Sequence, residues 1–230
     1  MLSQPTPNTL EKIALFKGLE DRHLNWLVEH LHCKLFEAET NLITVGQPGD
    51  VVFFIIDGTV KVHSKQATGT DVVLAILGSG DIVGEMSLLD SAGRSADVIT
   101  LEESTVLWMD REHFQEALHH IPQFSINLFR LLAQRLRLAN AQIQTLATLD
   151  VYGRIARQLL AFAEKYGEPG DNGSQIIPIR LTQGDIADLV GASRKRVNQV
   201  MVKFKTYHYI SVDALGHVTV QNHDALKRFC

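Results

Sequence analysis

The chain of 230 residues contains few cysteines, no long apolar run and no excess of positive charge. Its two cysteines, Cys33 and Cys230, stand far apart, which excludes a disulfide framework and a four-cysteine iron–sulfur cluster within one chain. No stretch approaches the roughly 18 uncharged apolar residues that a membrane-spanning helix needs, and no cationic segment followed by an apolar run marks a secretion signal. We therefore expect a cytoplasmic protein without a membrane partner.

Catalytic signatures are also missing from the sequence. We find no nucleophile–base motif, no cluster of metal ligands and no phosphate-binding loop of the NTPase type, so neither an enzyme nor a bound metal is expected. Hydrophobic residues make up 45% and charged residues 21% of the chain, which is an ordinary globular balance. The net charge of −4 argues against a surface coated in positive charge but is compatible with a local basic patch.

The hydrophobic periodicity changes twice along the chain. Helical spacing over residues 10–31 predicts one or two short helices. Short β-branched and aromatic runs separated by glycine turns follow, from about residue 35 to 109, and predict an antiparallel sandwich or barrel. One of these runs, VVFFII, is continuously apolar, as expected for a strand buried on both faces. Helical spacing then returns, with a short helix over 111–119, a break at Pro122 and a long helix over about 123–148. Asp150 follows the long helix and can cap a new helix with its carboxylate.

The long helix carries apolar residues at alternating steps of three and four, which is the a/d seam of a coiled coil. At 1.5 Å per residue the helix is roughly 39 Å long, more than it needs to cover its own sheet. A parallel dimer interface is therefore our interpretation, and a helix packed only on its own domain is the alternative. The seam consists of Phe129, Leu132, Leu136, Ala139, Ile143 and Leu146.

Residues 181–206 predict a helix-turn-helix. Thr182, followed by Asp185 three residues later, forms a capping box that opens the first helix. Gly191 ends this helix, and Ser193 can cap a second amphipathic helix over 194–205. Two short strands, YISV and HVTV, flank DALG behind it and predict the small hairpin of a winged domain.

The second helix of this motif has five cations and no acidic residue. Side chains near the N-terminus of a recognition helix reach base edges in the major groove, and Arg194, Lys195 and Gln199 carry donors suited to those edges. Ser193 suits a phosphate, because its hydroxyl lies beside the free N–H groups of the helix. A solvated basic surface is the alternative. The predicted DNA-binding residues are Thr182, Ser193, Arg194, Lys195, Arg196, Gln199 and Lys203.

Residues 81–98 carry a second pattern, in which a Gly-Glu pair precedes Arg-Ser-Ala by about ten residues. A buried Arg94 needs an anionic partner and can fork onto two phosphate oxygens, to which Ser95 adds a hydroxyl. Gly84 permits close approach of backbone to a ligand, and Glu85 accepts hydrogen bonds only, as suits a sugar hydroxyl. This pattern predicts a site for a ribose and a singly charged phosphate. A structural ion pair between Arg94 and Glu85 is the alternative.

Three separated segments closely resemble the cyclic AMP receptor protein (CRP/FNR) family: GEMSLLDSAGRSA, LDVYGRIARQLL and LTQGDIADLVGASRKRVNQV. The similarity spans nearly the whole chain in the family's order. It implies an α+β fold with an N-terminal β jelly-roll cyclic-nucleotide-binding domain, a long dimerisation helix and a C-terminal winged helix-turn-helix. The expected bounds of these parts are 1–122, 123–149 and 150–230. The resemblance also implies a homodimer that binds palindromic double-stranded DNA in response to cyclic AMP, with RNA polymerase as a partner.

The family's ligand roles carry over position by position. Arg94 and Ser95 are expected to bind the cyclic phosphate, Glu85 the ribose 2′-hydroxyl, and the Ala139–Asn140 pair faces adenine. The complete ligand set that the resemblance implies is Gly84, Glu85, Met86, Arg94, Ser95, Ala96, Ala139 and Asn140.

The sequence departs from the best-known member at two places. Ala139 and Asn140 replace a Thr-Ser pair at the adenine end, so that cyclic GMP becomes an alternative ligand. Lys195 and Gln199 replace a glutamate and an arginine of the recognition helix, so we expect a palindrome altered within each half-site. The same fold sensing a cyclic dinucleotide, haem or redox signal, and a nucleotide-binding subunit that acts by protein contact, are the remaining alternatives.

Overall fold

The computed structural model describes residues 5–65, 71–90 and 92–230. Ser91 of the GEMSLLDSAGRSA segment therefore lies outside the described residues. The described chain divides into two compact units. We call residues 5–65 and 74–137 the first unit, and residues 71–73 and 138–230 the second unit. Within the described residues, no helix combines the length and the hydropathy that crossing a membrane requires.

Two four-stranded antiparallel sheets dominate the N-terminal part of the chain. One has the order β1-β8-β3-β6 and the other β2-β7-β4-β5, as expected for an eight-stranded jelly roll. The strands are β1 (His32–Phe36), β2 (Asn41–Ile43), β3 (Val51–Asp57), β4 (Val60–Lys65), β5 (Asp71–Leu77), β6 (Ile82–Val83), β7 (Asp97–Thr100) and β8 (Ser104–Asp110).

Strand β3 is the centre of this architecture. Four consecutive residues, Val52 to Ile55, are buried, which confirms that the apolar run VVFFII forms a strand covered on both faces. One set of its side chains faces the interior between the sheets, where Ile55 packs with Val60, Val98 and Val106. The other set faces the helices, where the rings of Phe54 and Phe16 lie 4.9 Å apart.

Helices precede and follow this β-sandwich along the chain. The predicted helical stretch at the N-terminus is divided into α1 (Pro7–Leu10), a single 3₁₀ turn (Ala14–Phe16) and α2 (Asp21–His30). Gly18, at φ +71°, makes the break before α2. A short helix α3 (Glu85–Leu89) lies between β6 and β7.

The long helix and its predecessor agree with the sequence-based prediction to within two residues. Helix α4 (Arg111–His120) begins at Asp110, whose carboxylate accepts a hydrogen bond from the N–H of His113. Helix α5 (Pro122–Thr148) begins at the proline that was expected to mark a break, because proline suits the first turn of a helix, where its missing N–H has no partner to lose.

The second unit is a winged helix-turn-helix. Its sheet has the order β11-β12-β10-β9, and the antiparallel pair β11–β12 confirms the predicted hairpin. Asp150, Thr182 and Ser193 cap the helices that they were expected to cap. The elements are α6 (Val151–Tyr166), β9 (Glu168–Pro169), β10 (Gln175–Arg180), α7 (Gln183–Val190), α8 (Arg194–Thr206), β11 (Ile210–Val212), β12 (His217–Val220) and α9 (His223–Lys227).

Candidate functional site

The candidate ligand site of the first unit is built on the sharp turn between β6 and α3. Gly84 makes this turn at φ +88°, a left-handed conformation that residues with a Cβ disfavour. A Cβ placed on Gly84 would lie 2.6 Å from Nη1 of Arg94 and 3.2 Å from the carbonyl oxygen of Val51. Glycine is therefore required here both by the backbone angle and by the close approach of the arginine.

Arg94 is the central cation of this site and is only 7% exposed. Its Nη1 donates to the carbonyl oxygen of Gly84 and to Oγ of Ser87, each at 2.9 Å, and its Nη2 donates to the carbonyl oxygen of Val51 at 2.6 Å. These acceptors are uncharged, so they orient the guanidinium without neutralising it.

The electrostatic surroundings of Arg94 reflect its burial. Burial lowers the pKa of the Arg94 guanidinium below its ordinary value, and the positive charge of Arg111 acts in the same direction. The carboxylates of Asp50 and Glu85 oppose this decrease in pKa. An anion bound here would act in the same direction as these two carboxylates, because it stabilises the charged form of the arginine.

Glu85 is also buried, but its partner is not Arg94. Nη1 of Arg135, on α5, donates to Oε1 of Glu85 at 2.5 Å, and Nη2 of Arg135 donates to the carbonyl oxygen of Ile82. The alternative considered from the sequence, a Glu85–Arg94 ion pair, is thus not the arrangement that the described residues adopt. Sequence reasoning missed Arg135, because nothing in its neighbourhood distinguishes it from the other arginines of a long, partly exposed helix.

A third arginine, Arg111, ties the loops of this site together. Nη2 of Arg111 donates to the carbonyl oxygens of Gly49, at 2.5 Å, and of Ser87, at 3.0 Å. The backbone N–H of Arg94 donates to the carbonyl oxygen of Gln47 at 3.0 Å. The loop before β3, helix α3 and Arg94 are therefore joined by hydrogen bonds, and we call these residues the cradle.

The remaining residues of the predicted ligand set are distributed unevenly. Ala96, which directly precedes β7, is buried, whereas Met86 and Ser95 are exposed. Ala139 and Asn140 are exposed on α5 and belong to the second unit. Their predicted contact with a base stays a prediction.

The candidate nucleic-acid interface of the second unit is the pair α7–α8. The hydroxyl of Thr182 accepts from the N–H of Asp185 at 3.1 Å and donates to its carboxylate. Gly191 closes α7 at φ +63°, and Oγ of Ser193 accepts from the N–H of Arg196 at 3.3 Å. These local bonds fix the turn between the two helices.

Helix α8 has one buried and one charged side. Val197, Val200, Met201 and Phe204 are buried, as the amphipathic pattern predicts. The predicted DNA-contacting side chains of α8 are exposed, and they are Arg194, Lys195, Arg196, Gln199 and Lys203.

Two features of this interface were not expected from the sequence. The ring of Tyr152 on α6 lies beneath Arg196 and Lys203, and Nε2 of Gln183 donates to Oδ1 of Asn198 at 2.9 Å. Both contacts join α8 to another helix of the unit, so the helical pattern of α8 alone carries no signal for them.

The seam on α5 leaves large apolar side chains in water. Phe129 is 68%, Leu136 64% and Ile143 66% exposed, at intervals of seven residues. Leu146 is exposed as well, and Leu132 is half-buried.

Each half of the chain matches a known domain family. Residues 33–120 match the family model of the cyclic nucleotide-binding domain, and residues 153–229 match that of the Crp-like helix-turn-helix domain. Among curated proteins, the chain is 32% identical to a CRP-like cAMP-activated global transcriptional regulator of Mycobacterium tuberculosis, over 95% of this chain and 97% of that protein. It is 31% identical to the cAMP-activated global transcriptional regulator CRP of Haemophilus influenzae, over 79% of this chain and 80% of that protein.

Solved structures give the same result for the fold. The crystal structure of the Thermus thermophilus catabolite activator protein is similar to this chain with a TM-score of 0.53 and 26% identity, over 94% of this chain and 97% of that one. The near-complete coverage of a relative at 32% identity, together with the order of the two matched domains, confirms the resemblance found in the sequence: this chain belongs to the CRP-like family of transcriptional regulators.

Proposed function

We propose that this chain is a transcription regulator that binds cyclic AMP in its first unit and, as a homodimer, a palindromic DNA site through its second unit. The observation that carries the ligand proposal is Arg94, a buried cation oriented by carbonyl and hydroxyl oxygens. Such a group favours an anion of matching geometry, because a charge removed from water is stabilised by an opposite charge. The names of the Mycobacterium tuberculosis and Haemophilus influenzae relatives, both called cAMP-activated, support the choice of nucleotide.

In this proposal Arg94 and Ser95 hold the cyclic phosphate, and Glu85 accepts a hydrogen bond from the ribose 2′-hydroxyl. An ionised carboxylate has about four lone-pair sites, so Glu85 can serve the ribose while it accepts from Arg135. Gly84 and Met86 adjoin Glu85 in the chain, Ala96 adjoins Ser95, and these three residues complete the proposed set. Asn140 offers both a donor and an acceptor to the base, which suits the edge of adenine.

The DNA side of the proposal rests on the charge and exposure of α8. Arg194, Lys195 and Gln199 lie in its first two turns and read base edges. Ser193 and Arg196, together with Thr182 at the start of α7 and Lys203 further along α8, contact phosphates. Phosphate contacts set the affinity and its salt dependence, whereas base contacts set the sequence preference.

The homodimer is proposed from the apolar seam of α5. Three side chains that are about two-thirds exposed and seven residues apart would leave a continuous apolar stripe in water. Covering the exposed two-thirds of each such side chain contributes about 1–2 kcal/mol, and a parallel second copy of the same helix places identical seams together. RNA polymerase is the further partner that the family implies.

Cyclic AMP would act by shifting a pre-existing equilibrium between dimers that differ in the placement of their recognition helices. A ligand shifts such an equilibrium only by its differential affinity for the two states. The favoured state sets the two α8 helices roughly 34 Å apart, because the half-sites that a helix-turn-helix dimer binds are one turn of DNA apart.

The test of the ligand site is a calorimetric titration of nucleotide-stripped protein with cyclic AMP, with cyclic GMP in parallel. Saturable binding of cyclic AMP that is tighter than that of cyclic GMP is the expected result. Arg94→Ala should abolish binding. Because Arg94 also holds the cradle together, Ser95→Ala is the matched variant: its exposed side chain leaves the cradle intact, and its loss should weaken binding about tenfold or more. No binding of either nucleotide would refute the proposal for the first unit.

The test of the DNA site is a titration of the dimer with duplexes that carry a randomised palindrome, with and without cyclic AMP. Cyclic AMP should raise the affinity, and Lys195→Ala should change the preferred half-site rather than only weaken binding. Binding that depends on salt but not on sequence would restrict the second unit to non-specific DNA contact.

A further inference from the structure

Tyr152 lies between the aromatic core of the second unit and the cations of α8. It stands in the first turn of α6, where its ring stacks on Phe229 at 6.1 Å and contacts Phe204 edge-on at 6.1 Å. The side chain is half-buried. Its ring is therefore fixed by two aromatic neighbours and has little freedom to move.

Two cations of the recognition helix lie over this fixed ring. Nζ of Lys203 is 4.8 Å, and Cζ of Arg196 is 5.3 Å, from the centre of the Tyr152 ring. Both distances are within the roughly 6 Å at which the electrons of a ring attract a cation. The two residues are seven positions apart, so they share one side of α8. Tyr152 therefore holds an otherwise flexible arginine and lysine in defined positions on that side.

The arginine in turn holds a residue expected to read DNA. Nη1 of Arg196 donates to Oε1 of Gln199 at 3.2 Å, one turn further along α8. A guanidinium has donors and no acceptor, so the carboxamide of Gln199 must turn its oxygen toward Arg196. The NH₂ group of Gln199 is then the part of the side chain that remains for a base.

We propose that Tyr152 is a positioning residue for DNA readout, which acts through Arg196 to present Gln199 as a hydrogen-bond donor. Glutamine normally pairs with adenine, because its oxygen accepts from N6 while its NH₂ group donates to N7. A Gln199 that offers donors favours guanine instead, whose N7 and O6 are both acceptors in the major groove. Since an amide oxygen can accept a second bond, adenine is disfavoured rather than excluded. The inference rests on the proposed placement of α8 in the major groove.

The experiment measures base preference with the full-length dimer, cyclic AMP and a library of duplexes randomised within each half-site. Gln199→Ala first identifies the base position that Gln199 reads, as the position at which the wild-type preference disappears. The preference there is then measured for Tyr152→Leu and Tyr152→Phe. Leucine removes the ring and keeps an apolar side chain, whereas phenylalanine keeps the ring and removes only the hydroxyl group.

Wild-type protein should prefer guanine over adenine at this position by about fivefold or more. Tyr152→Leu should reduce this ratio by about two- to fivefold, as expected for the loss of one exposed cation–π contact, and Tyr152→Phe should retain it. Lys203→Ala is the matched control: it removes the other cation over the ring, so it should weaken binding to all sequences and leave the ratio unchanged. Tyr152→Leu should have no effect on the ratio in the Gln199→Ala background.

A merely structural role for Tyr152 would lower affinity for every sequence alike and would leave the base ratio unchanged, which would overturn the inference. A wild-type preference for adenine would overturn it as well. Should Tyr152→Leu fail to fold, as judged by its circular dichroism, Arg196→Met removes the hydrogen bond that Arg196 donates to Gln199 and should reduce the ratio at least as much. Failure of the wild-type protein to bind any duplex would instead refute the proposed function, on which the inference depends.

Discussion

Breaking the ion pair between Arg135 and Glu85 is a direct test of what stabilises the first unit. The Glu85 side chain is 2% exposed, and Nη1 of Arg135 lies 2.5 Å from its Oε1. Replacing Arg135 by methionine keeps an unbranched apolar chain but leaves a carboxylate buried without its cation. Breaking a fully buried pair in this way costs about 3–5 kcal/mol. Because the Arg135 side chain is 32% exposed and water can reach part of the site, we expect the free energy of unfolding to fall by about 2–3 kcal/mol.

Tryptophan fluorescence can follow this change in the first unit alone. The chain has two tryptophans, Trp26 and Trp108, and both belong to the first unit. In urea, with a slope of roughly 1–3 kcal/mol per molar for a domain of this size, the expected loss moves the unfolding midpoint by about 1 M. A signal confined to one unit also avoids the assumption that both units unfold together.

Two further variants show whether Arg135→Met destabilises the protein through an unpaired buried charge or through lost packing. The double variant Glu85→Gln with Arg135→Met removes both charges, so it should recover most of the lost stability. Arg137→Met makes the same replacement at an exposed position on the same helix and should change stability by less than about 0.5 kcal/mol. The reasoning would be refuted by an Arg135→Met protein as stable as Arg137→Met, or by a double variant no more stable than Arg135→Met.

Three other predictions follow from single positions. Gly84→Ala forces a Cβ to within 2.6 Å of Arg94 at φ +88°, so it should destabilise the first unit by about 1–2 kcal/mol, seen by fluorescence, and weaken cyclic AMP binding in calorimetry. Gly191→Ala also places a Cβ on a residue with positive φ, but the nearest atom to this Cβ is at an ordinary contact distance of 3.6 Å. The free energy of unfolding should therefore fall by only about 1 kcal/mol, as measured in a thermal melt followed by circular dichroism. Burial raises the pKa of Asp110, but hydrogen bonds from the backbone and ring of His113 outweigh it, so the pKa lies below its ordinary value. The ionised carboxylate therefore contributes stability that is complete above the ordinary pKa and is lost as the pH falls through the lowered one. Asp110→Asn keeps the helix cap but cannot titrate, so its stability, measured by fluorescence, should fall less at acidic pH than that of the wild-type protein. An equal loss of stability at acidic pH in both proteins would contradict this role of Asp110.

Features that depend on a few neighbouring residues could be predicted from the sequence. The caps at Asp150, Thr182 and Ser193 each involve a side chain and an N–H group three residues later, and the motif itself encodes that distance. The apolar run of β3 likewise identified its strand, since burial on both faces removes the polar alternation that a half-exposed strand would show.

Features that depend on the approach of distant segments could not be predicted in this way. Glu85 and Arg135 are separated by 50 residues, and any of several cations along α5 satisfies the same local pattern. The cation–π contacts of Tyr152 pose the same problem, because they require the packing of α6 on α8. Sequence reasoning recognised that a buried Arg94 needs a partner, but the side chains that surround it are set by the fold.

The charges of the ligand site explain why the sequence pattern suits a singly charged phosphate. Arg135 neutralises Glu85 directly, so this buried pair contributes no net charge. Arg94 donates hydrogen bonds to two carbonyl oxygens and one hydroxyl group. These acceptors orient the guanidinium but, because they are uncharged, do not neutralise it. The third arginine, Arg111, faces the carboxylate of Asp50, with 3.9 Å between its Nε and Oδ1. The three arginines and two carboxylates of the site therefore leave one net positive charge, which the one negative charge of a cyclic phosphodiester matches. An arginine already bound to a carboxylate would have been a poorer phosphate ligand, because binding would first have to break that pair.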